Sequence, residues 1–294
     1  MKRTAPVLAI CLATVGLAAS QVASPSSRVI DPHEHRAAGR AGRKVAQALV
    51  PLSQVVYDIR TQTSDPTQMP EPKVTELERA RVQSAARQAA AQALWTKALP
   101  TKAGDTRMQH CTGTDFKITG IAAGAFTDKG KAQTAYLYTY CLNSTGDFQG
   151  LVVLEAGNVA AHYVFVDQMY SMSALQDINR NGFTELVLSG RYTEQGYTEE
   201  WVRIAELGPQ PPLIGRLGDD RTPAPYSDYC GVVRTNDGMW RSLVLRVKPG
   251  PTPIFTQQAI AGECGHTKVA TSTGPVRSLT LNPAPTGWLS GPLK

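Results

Sequence analysis

The chain carries few of the signatures that announce a chemistry. It has no GxSxG, HExxH or P-loop sequence, so the nucleophile elbow of a hydrolase, the zinc helix of a metalloprotease and the phosphate cradle of an NTPase are all missing. It has no CxxC pair, which removes the usual zinc-ribbon spacing. Aromatic residues are scarce at 7%, and no Lys/Arg stripe with interleaved aromatics offers a stacking platform for single-stranded nucleic acid. The net charge of +6 points the same way once it is located. Acidic and basic residues balance beyond Pro100, and the excess lies near the N-terminus and between Lys73 and Leu99. Nucleic acid is therefore not an expected partner. After the first twenty residues, no apolar run approaches the roughly 18 residues of a membrane span.

Residues 1–20 read as a secretory signal: Lys2 and Arg3 form the basic start, Val7 to Leu17 the apolar run and Ala18-Ala19-Ser20 the small-residue exit. Acylation at Cys11 is the competing reading, but Ile10 stands where a small residue is wanted. The expected location is secreted or periplasmic, with no transmembrane segment once the signal is removed. Four cysteines then remain, Cys111, Cys141, Cys230 and Cys264, an even number that suits two disulfides in an exported chain. Three connectivities are open. The local pairs Cys111 with Cys141 and Cys230 with Cys264 are favoured, each closing a loop of about 30 residues worth about 3 to 4 kcal/mol of chain entropy.

Residues 21–43 are rich in Ser, Ala, Arg and Gly without apolar periodicity, which reads as a disordered tether. Residues 44–99 read as a helical segment interrupted by a Pro-rich linker. From Lys44 to Thr61, Val45, Leu49, Leu52, Val55, Val56 and Ile59 recur at helical steps around Pro51. A clearer helix runs from Lys73 to Leu99, opened by Thr75 with Glu78 in a capping-box pattern and closed by Pro100. Its apolar stripe, Val82, Ala85, Ala86, Ala89 and Ala93, predicts close packing on another element.

Residues 100–294 change to short alternating runs divided by Gly, Pro, Asn and Asp, the texture of a β domain. Three stretches align without gaps, beginning at Gly130, Gly182 and Gly238 and running into Tyr138, Gly190 and Arg246. The period of about 54 residues suits a unit of about four strands, such as a propeller blade.

Ahead of the middle glycine, Asp177, Asn179 and Asn181 place oxygen-bearing side chains at every second residue, Gly182 allows a sharp turn, and Glu185 follows. With the backbone carbonyl of Phe183, these residues make a plausible oxygen cage for calcium, which takes roughly six to eight such ligands. A metal-free Asx turn explains Asn181-Gly182 well but does not need Asp177 and Glu185. The aligned first unit offers Ala125, Thr127, Lys129 and Gln133, and the third Val233, Thr235, Asp237 and Arg241. Only the middle loop is expected to bind.

This loop resembles the DxDxDGxxD calcium loop of FG-GAP or VCBS repeats, the units of integrin-alpha-like β-propellers. Asp177, Asn179, Asn181 and Glu185 occupy its ligand positions, Gly182 its turn and Leu186-Val187-Leu188 its following strand. Gly124 to Asp128 is similar to the strand entering such a loop. The resemblance implies a structural Ca2+ and a mainly β, repeat-built, propeller-like domain, preceded by one or two helices. Family propellers commonly have seven blades, whereas this chain has room for about three units, so an open or partial ring is expected. Two Asp-to-Asn changes leave two carboxylates, which places the affinity near the roughly 0.1 to 1 mM of extracellular modules.

The remaining candidates are weaker. His33-Glu34-His35 lacks a zinc spacing, and His110, His162 and His266 are isolated. Glu199-Glu200 and Asp219-Asp220 are tandem acids, but neighbours on a strand face opposite sides. Asn143-Ser144-Thr145 fits a glycosylation sequon by chance in a chain of bacterial texture. Tyr136, Tyr138, Tyr140, Tyr163, Tyr170, Tyr192 and Tyr197 would furnish a binding face if exposed together. The expected function is a non-enzymatic binding or adhesion module for a protein or glycan partner in the envelope or outside the cell. The alternative is a hydrolase using carboxylates of the β domain.

Overall fold

The computed structural model describes residues 53–62, 71–95, 111–142, 146–208, 213–218, 223–231, 238–266, 268–283 and 289. The signal, the tether, His33, His35, His110, the Asn143 sequon, Asp219 and Asp220 lie outside them. Among the described residues one α-helix, α1 (Glu76–Ala91), stands between a short first strand and the remaining strands. Thr75 caps it, its hydroxyl accepting from the Glu78 N–H while the Glu78 carboxylate accepts from the Thr75 N–H, so two orphan donors of the first turn are satisfied. The helix ends at Ala91, short of the expected Leu99, because Ala93 turns left-handed at φ 51°.

Residues 44–52 of the expected first helix lie outside the described residues, and beyond them the chain forms instead a strand, β1 (Gln54–Tyr57), and a 3-10 turn at Ile59–Thr61. The β-branched pair Val55-Val56 suits an extended backbone, and pairing with β11 (Met239–Lys248) overrides the helical spacing. Asp58 then caps the turn through the Arg60 N–H.

The other strands are β2 (Lys117–Gly124), β3 (Gln133–Cys141), β4 (Asp147–Glu155), β5 (Asn158–Asp167), β6 (Met169–Leu175), β7 (Glu185–Glu194), β8 (Tyr197–Glu206), β9 (Leu213–Leu217), β10 (Tyr226–Asp228), β12 (Ile254–Glu263) and β13 (Ser272–Leu279). They form two antiparallel sheets. The smaller has the order β2-β3-β4-β5; the larger runs β13-β12-β11-β10-β8-β7-β6, with β1 on β11 and β9 on β8. Neither closes into a barrel.

The alanine stripe of α1 does what its small side chains permit. Val82, Ala85, Ala86 and Ala89 are buried against the smaller sheet, with Tyr136, Tyr138, Phe148 and Val152 in the same cluster. Trp95, fully buried, locks the end of the helix by donating its indole N–H to the Gln149 carbonyl at 2.8 Å and stacking on Tyr140. A second cluster joins the two sheets, drawing on Leu137, Leu151 and Phe165 from one and Leu186, Leu188 and Ala205 from the other. A third fills the larger sheet around Tyr57, Val187, Trp240 and Leu245.

Cys230 and Cys264 form a disulfide, as one local pairing anticipates. The other anticipated pair, Cys111 and Cys141, stands as two thiols joined by a hydrogen bond. Burial and that hydrogen bond push the Cys111 thiol up to about 12.

Candidate cation loop

The loop from Asp177 to Thr184 joins β6 to β7, and each oxygen-bearing residue in it has a definite task. Asp177 anchors the turn: its Oδ1 accepts from the Asn181 N–H at 2.8 Å and its Oδ2 from the Gly182 N–H at 3.0 Å. Asn179 Oδ1 also accepts from the Asn181 N–H, and Asn181 Oδ1 accepts from the Phe183 N–H at 2.9 Å. Gly182 sits at φ 92°, where a Cβ would be strained and would press on the Lys129 side chain at 3.1 Å. Glu185, the first residue of β7, turns back so that Oε2 accepts from the Ile178 N–H at 2.9 Å.

Four of the five expected ligands thus contribute side chains to one loop, and Phe183, whose carbonyl is the fifth, lies between them. The Phe183 ring is buried, with the Lys129 ammonium 5.1 Å from its centroid. Lys129 belongs to the loop between β2 and β3. That loop is held to this one by the Thr184 N–H donating to the Ala125 carbonyl and the Ala125 N–H donating to Thr184 Oγ1.

Glu185 is the anomaly. It is wholly buried, yet Oε1 has no hydrogen-bond partner. Burial, reinforced by the charges of Glu206 and Asp177 and only partly offset by the backbone N–H groups of Ile178 and of Glu185 itself, pushes its carboxyl up to about 7. Glu206 lies directly across the β7–β8 pair and is also buried. Two carboxylates facing each other across a strand pair repel. Glu206 Oε2 is satisfied by two amide donors, Asn179 Nδ2 and Asn181 Nδ2, each at 2.7 Å. Among the described residues, no group of three or more His, Cys, Asp or Glu side chains is gathered to hold a metal by itself. Any cation here would therefore need amide and carbonyl oxygens as well.

The loop aligned with it offers an internal control. In the first of the aligned stretches Gln133 stands where the second has Glu185, and its Oε1 accepts from the Phe126 and Thr127 N–H groups, each at 2.9 Å. The same seven-residue reach connects Gln133 to Phe126 and Glu185 to Ile178, and both apolar residues are fully buried. Gln133 also faces Glu155 across β3–β4, as Glu185 faces Glu206. Here the amide nitrogen fills the gap, donating to Glu155 Oε2 and Thr127 Oγ1. Where Gln133 has a nitrogen, Glu185 has an oxygen with no partner. The aligned glycines, Gly130, Gly182 and Gly238, share positive φ values of 70°, 92° and 73°.

Sequence reasoning missed Glu206, which lies far along the chain from Glu185. The signal was present in the Gln195-Gly196 turn, where both residues have positive φ. That two-residue hairpin turn fixes the β7–β8 register and hence the Glu185–Glu206 pairing.

The other candidates fall elsewhere. Tyr136, Tyr138, Tyr140 and Tyr163 are buried, so the expected tyrosine face is corrected: these rings build the core beneath α1 and between the sheets. Among the described residues the exposed aromatics are Tyr192 and Tyr229, and Tyr197 packs at a tilt against Tyr229 with ring centres 4.6 Å apart. His162 is buried with its Nε2 2.7 Å from the Tyr138 hydroxyl, and burial lowers it to about 4. Glu200 is buried and bound by the Tyr57 hydroxyl and the Arg191 guanidinium, whereas Glu199 lies on the other face. His266 is exposed. No helix among the described residues is long and apolar enough to cross a membrane. Searches against protein-family models, curated proteins and solved structures found no match for this chain.

Proposed function

We propose that this chain is an exported, non-enzymatic binding or adhesion module built from degenerate FG-GAP/VCBS-type units, with one structural calcium ion held by the loop from Asp177 to Glu185. The observation that carries the reading is the buried, unpartnered Oε1 of Glu185, in a loop whose other oxygens come from Asp177, Asn179, Asn181 and the Phe183 carbonyl. A hard cation answers both the unpaired oxygen and the repulsion from Glu206. The chemistry the ion supplies is a cross-link between a loop and the start of β7.

The repeat reading draws support from the order of the strands. β2 to β5, β6 to β9 and β10 to β13 are successive runs of four, and the glycines preceding the second strand of each run share one backbone conformation. The surface best suited to a protein or glycan is the aromatic group Tyr192, Tyr197 and Tyr229. Tyr192 and Tyr197 share a face of the β7–β8 hairpin, and Tyr229 packs on Tyr197 next to the disulfide residue Cys230. The hydrolase alternative needs a free pair of acids. Glu200 is committed to Arg191 and Tyr57, and Asp228 accepts from the Tyr226 hydroxyl and the Cys230 N–H.

The test is equilibrium unfolding of the oxidised mature protein in about 5 mM calcium and in chelator, with Asp177→Ala alongside. A site of roughly 0.1 to 1 mM affinity stabilises the fold by about 1 to 2 kcal/mol under these conditions. Asp177→Ala is expected to lose that increment. Identical curves for the wild type in calcium and chelator would sink the cation reading.

A further inference from the structure

The two asparagines in the loop pose a problem for a cation site. A carboxylate presents oxygen whichever way it turns, but an amide presents oxygen on one side and N–H2 on the other, and the wrong side repels a cation. We infer that Glu206 is the positioning residue that solves this problem: by accepting from the side-chain amides of both Asn179 and Asn181, it fixes their oxygens toward the interior of the loop. This inference rests on the cation reading given above.

Glu206 Oε2 takes both Nδ2 groups at 2.7 Å. Glu206 Oε2 is the acceptor in both contacts, so the atoms facing it are the amide nitrogens and the opposite atoms are the oxygens. Those oxygens point back into the loop, where each accepts from a backbone N–H of the turn and keeps a second lone pair for a ligand. Glu206 is itself buried and fixed by its place opposite Glu185 in the β7–β8 register. Charge-assisted hydrogen bonds donated to a buried carboxylate hold side chains more firmly than neutral ones.

An independent observation points to a ligand in the same place. Glu185 Oε1, on a side chain with no solvent exposure, is unpartnered, and the charges of both Asp177 and Glu206 bear on it. In the first unit the residue opposite Gln133, Glu155, also accepts an amide, but that amide comes from Gln133 itself and fills the gap. The second unit has moved the amides onto the loop and left the Glu185 oxygen open. Outer groups that orient metal ligands in this way commonly control affinity by about 10- to 100-fold.

The experiment is calcium titration calorimetry on the full mature, oxidised chain, comparing wild type, Glu206→Leu, and Asn179→Asp/Asn181→Asp/Glu206→Leu. Glu206→Leu removes the acceptor, frees both amides to turn, and should weaken calcium at least tenfold. The triple variant replaces the amides by carboxylates that need no orienting, and should recover affinity to within about threefold of wild type or better. Far-ultraviolet circular dichroism of each variant checks that it is folded. An unchanged affinity in Glu206→Leu would overturn the inference. So would a triple variant that binds no better than Glu206→Leu, because Glu206 would then act as a ligand or as general support. No heat of binding in the wild type would overturn the cation reading itself, and this inference with it.

Discussion

The most informative perturbation leaves the candidate site untouched and rebuilds its electrostatics in the neighbouring unit. Gln133→Glu changes one nitrogen to an oxygen. The new side chain keeps the two backbone N–H bonds from Phe126 and Thr127 but loses the donors to Glu155 and Thr127 Oγ1. Losing a hydrogen bond to a charged acceptor costs about 1.5 to 3 kcal/mol. The new carboxylate also faces Glu155 across the β3–β4 pair, with Lys131, 3.7 Å from Glu155, as partial compensation. It escapes that repulsion by taking a proton, at about 1.4 kcal/mol per unit by which its pKa must rise. Glu185 in the equivalent position is already pushed to about 7, so the total loss near pH 7.5 is about 3 kcal/mol or more. For a chain of this size that is a drop of about 6 to 12 °C in Tm. The sign with pH is fixed. A carboxyl whose folded pKa is raised holds more protons folded than unfolded, so the deficit is smallest near pH 4.5 and grows toward pH 7.5. The assay is thermal unfolding across that range in chelator. A variant as stable as wild type at pH 7.5, or one whose deficit shrinks as pH rises, would refute the reasoning.

Two further outcomes follow from other parts of the molecule. Cys230→Ser/Cys264→Ser opens a loop with a sequence separation of 34 and should cost about 4 kcal/mol by chain entropy, read as a shift in urea midpoint against oxidised wild type. An unchanged midpoint would show that the unfolded chain is already constrained there. His162 is held neutral down to about 4 in the folded protein, so the unfolded state binds the extra proton first and stability falls as pH drops from about 6.5 to 4. His162→Gln should remove about 3 kcal/mol of that acid sensitivity in urea titrations, and parallel pH profiles for the two proteins would contradict it.

How much of this was legible depends on the range over which each residue acts. The α1 capping box is a four-residue event, and Thr75 and Glu78 announced it before any fold was known. The strands that follow Gly130, Gly182 and Gly238, which are β3, β7 and β11, were readable for a similar reason, since alternation and β-branching are local. The Gln54–Tyr57 strand was not, because its state is decided by pairing with β11, far along the chain. The tyrosines misled because a strand-forming aromatic reads the same in a core as on a surface, and α1 covers the face that holds Tyr136 and Tyr138. In the loop, the sequence named the oxygen donors but not Glu206. The equivalence of Gln133 and Glu185, by contrast, was visible as an alignment and reappears as the same reach to a buried apolar N–H.

The most direct test of the account is native mass spectrometry of the oxidised mature chain, titrated with calcium and compared with Asp177→Ala. One bound calcium ion per chain is expected in the wild type and none in the variant, because among the described residues the loop between β6 and β7 combines Asp177 and Glu185 with an open oxygen. A wild type that binds no calcium, or a variant that binds as the wild type does, would contradict it.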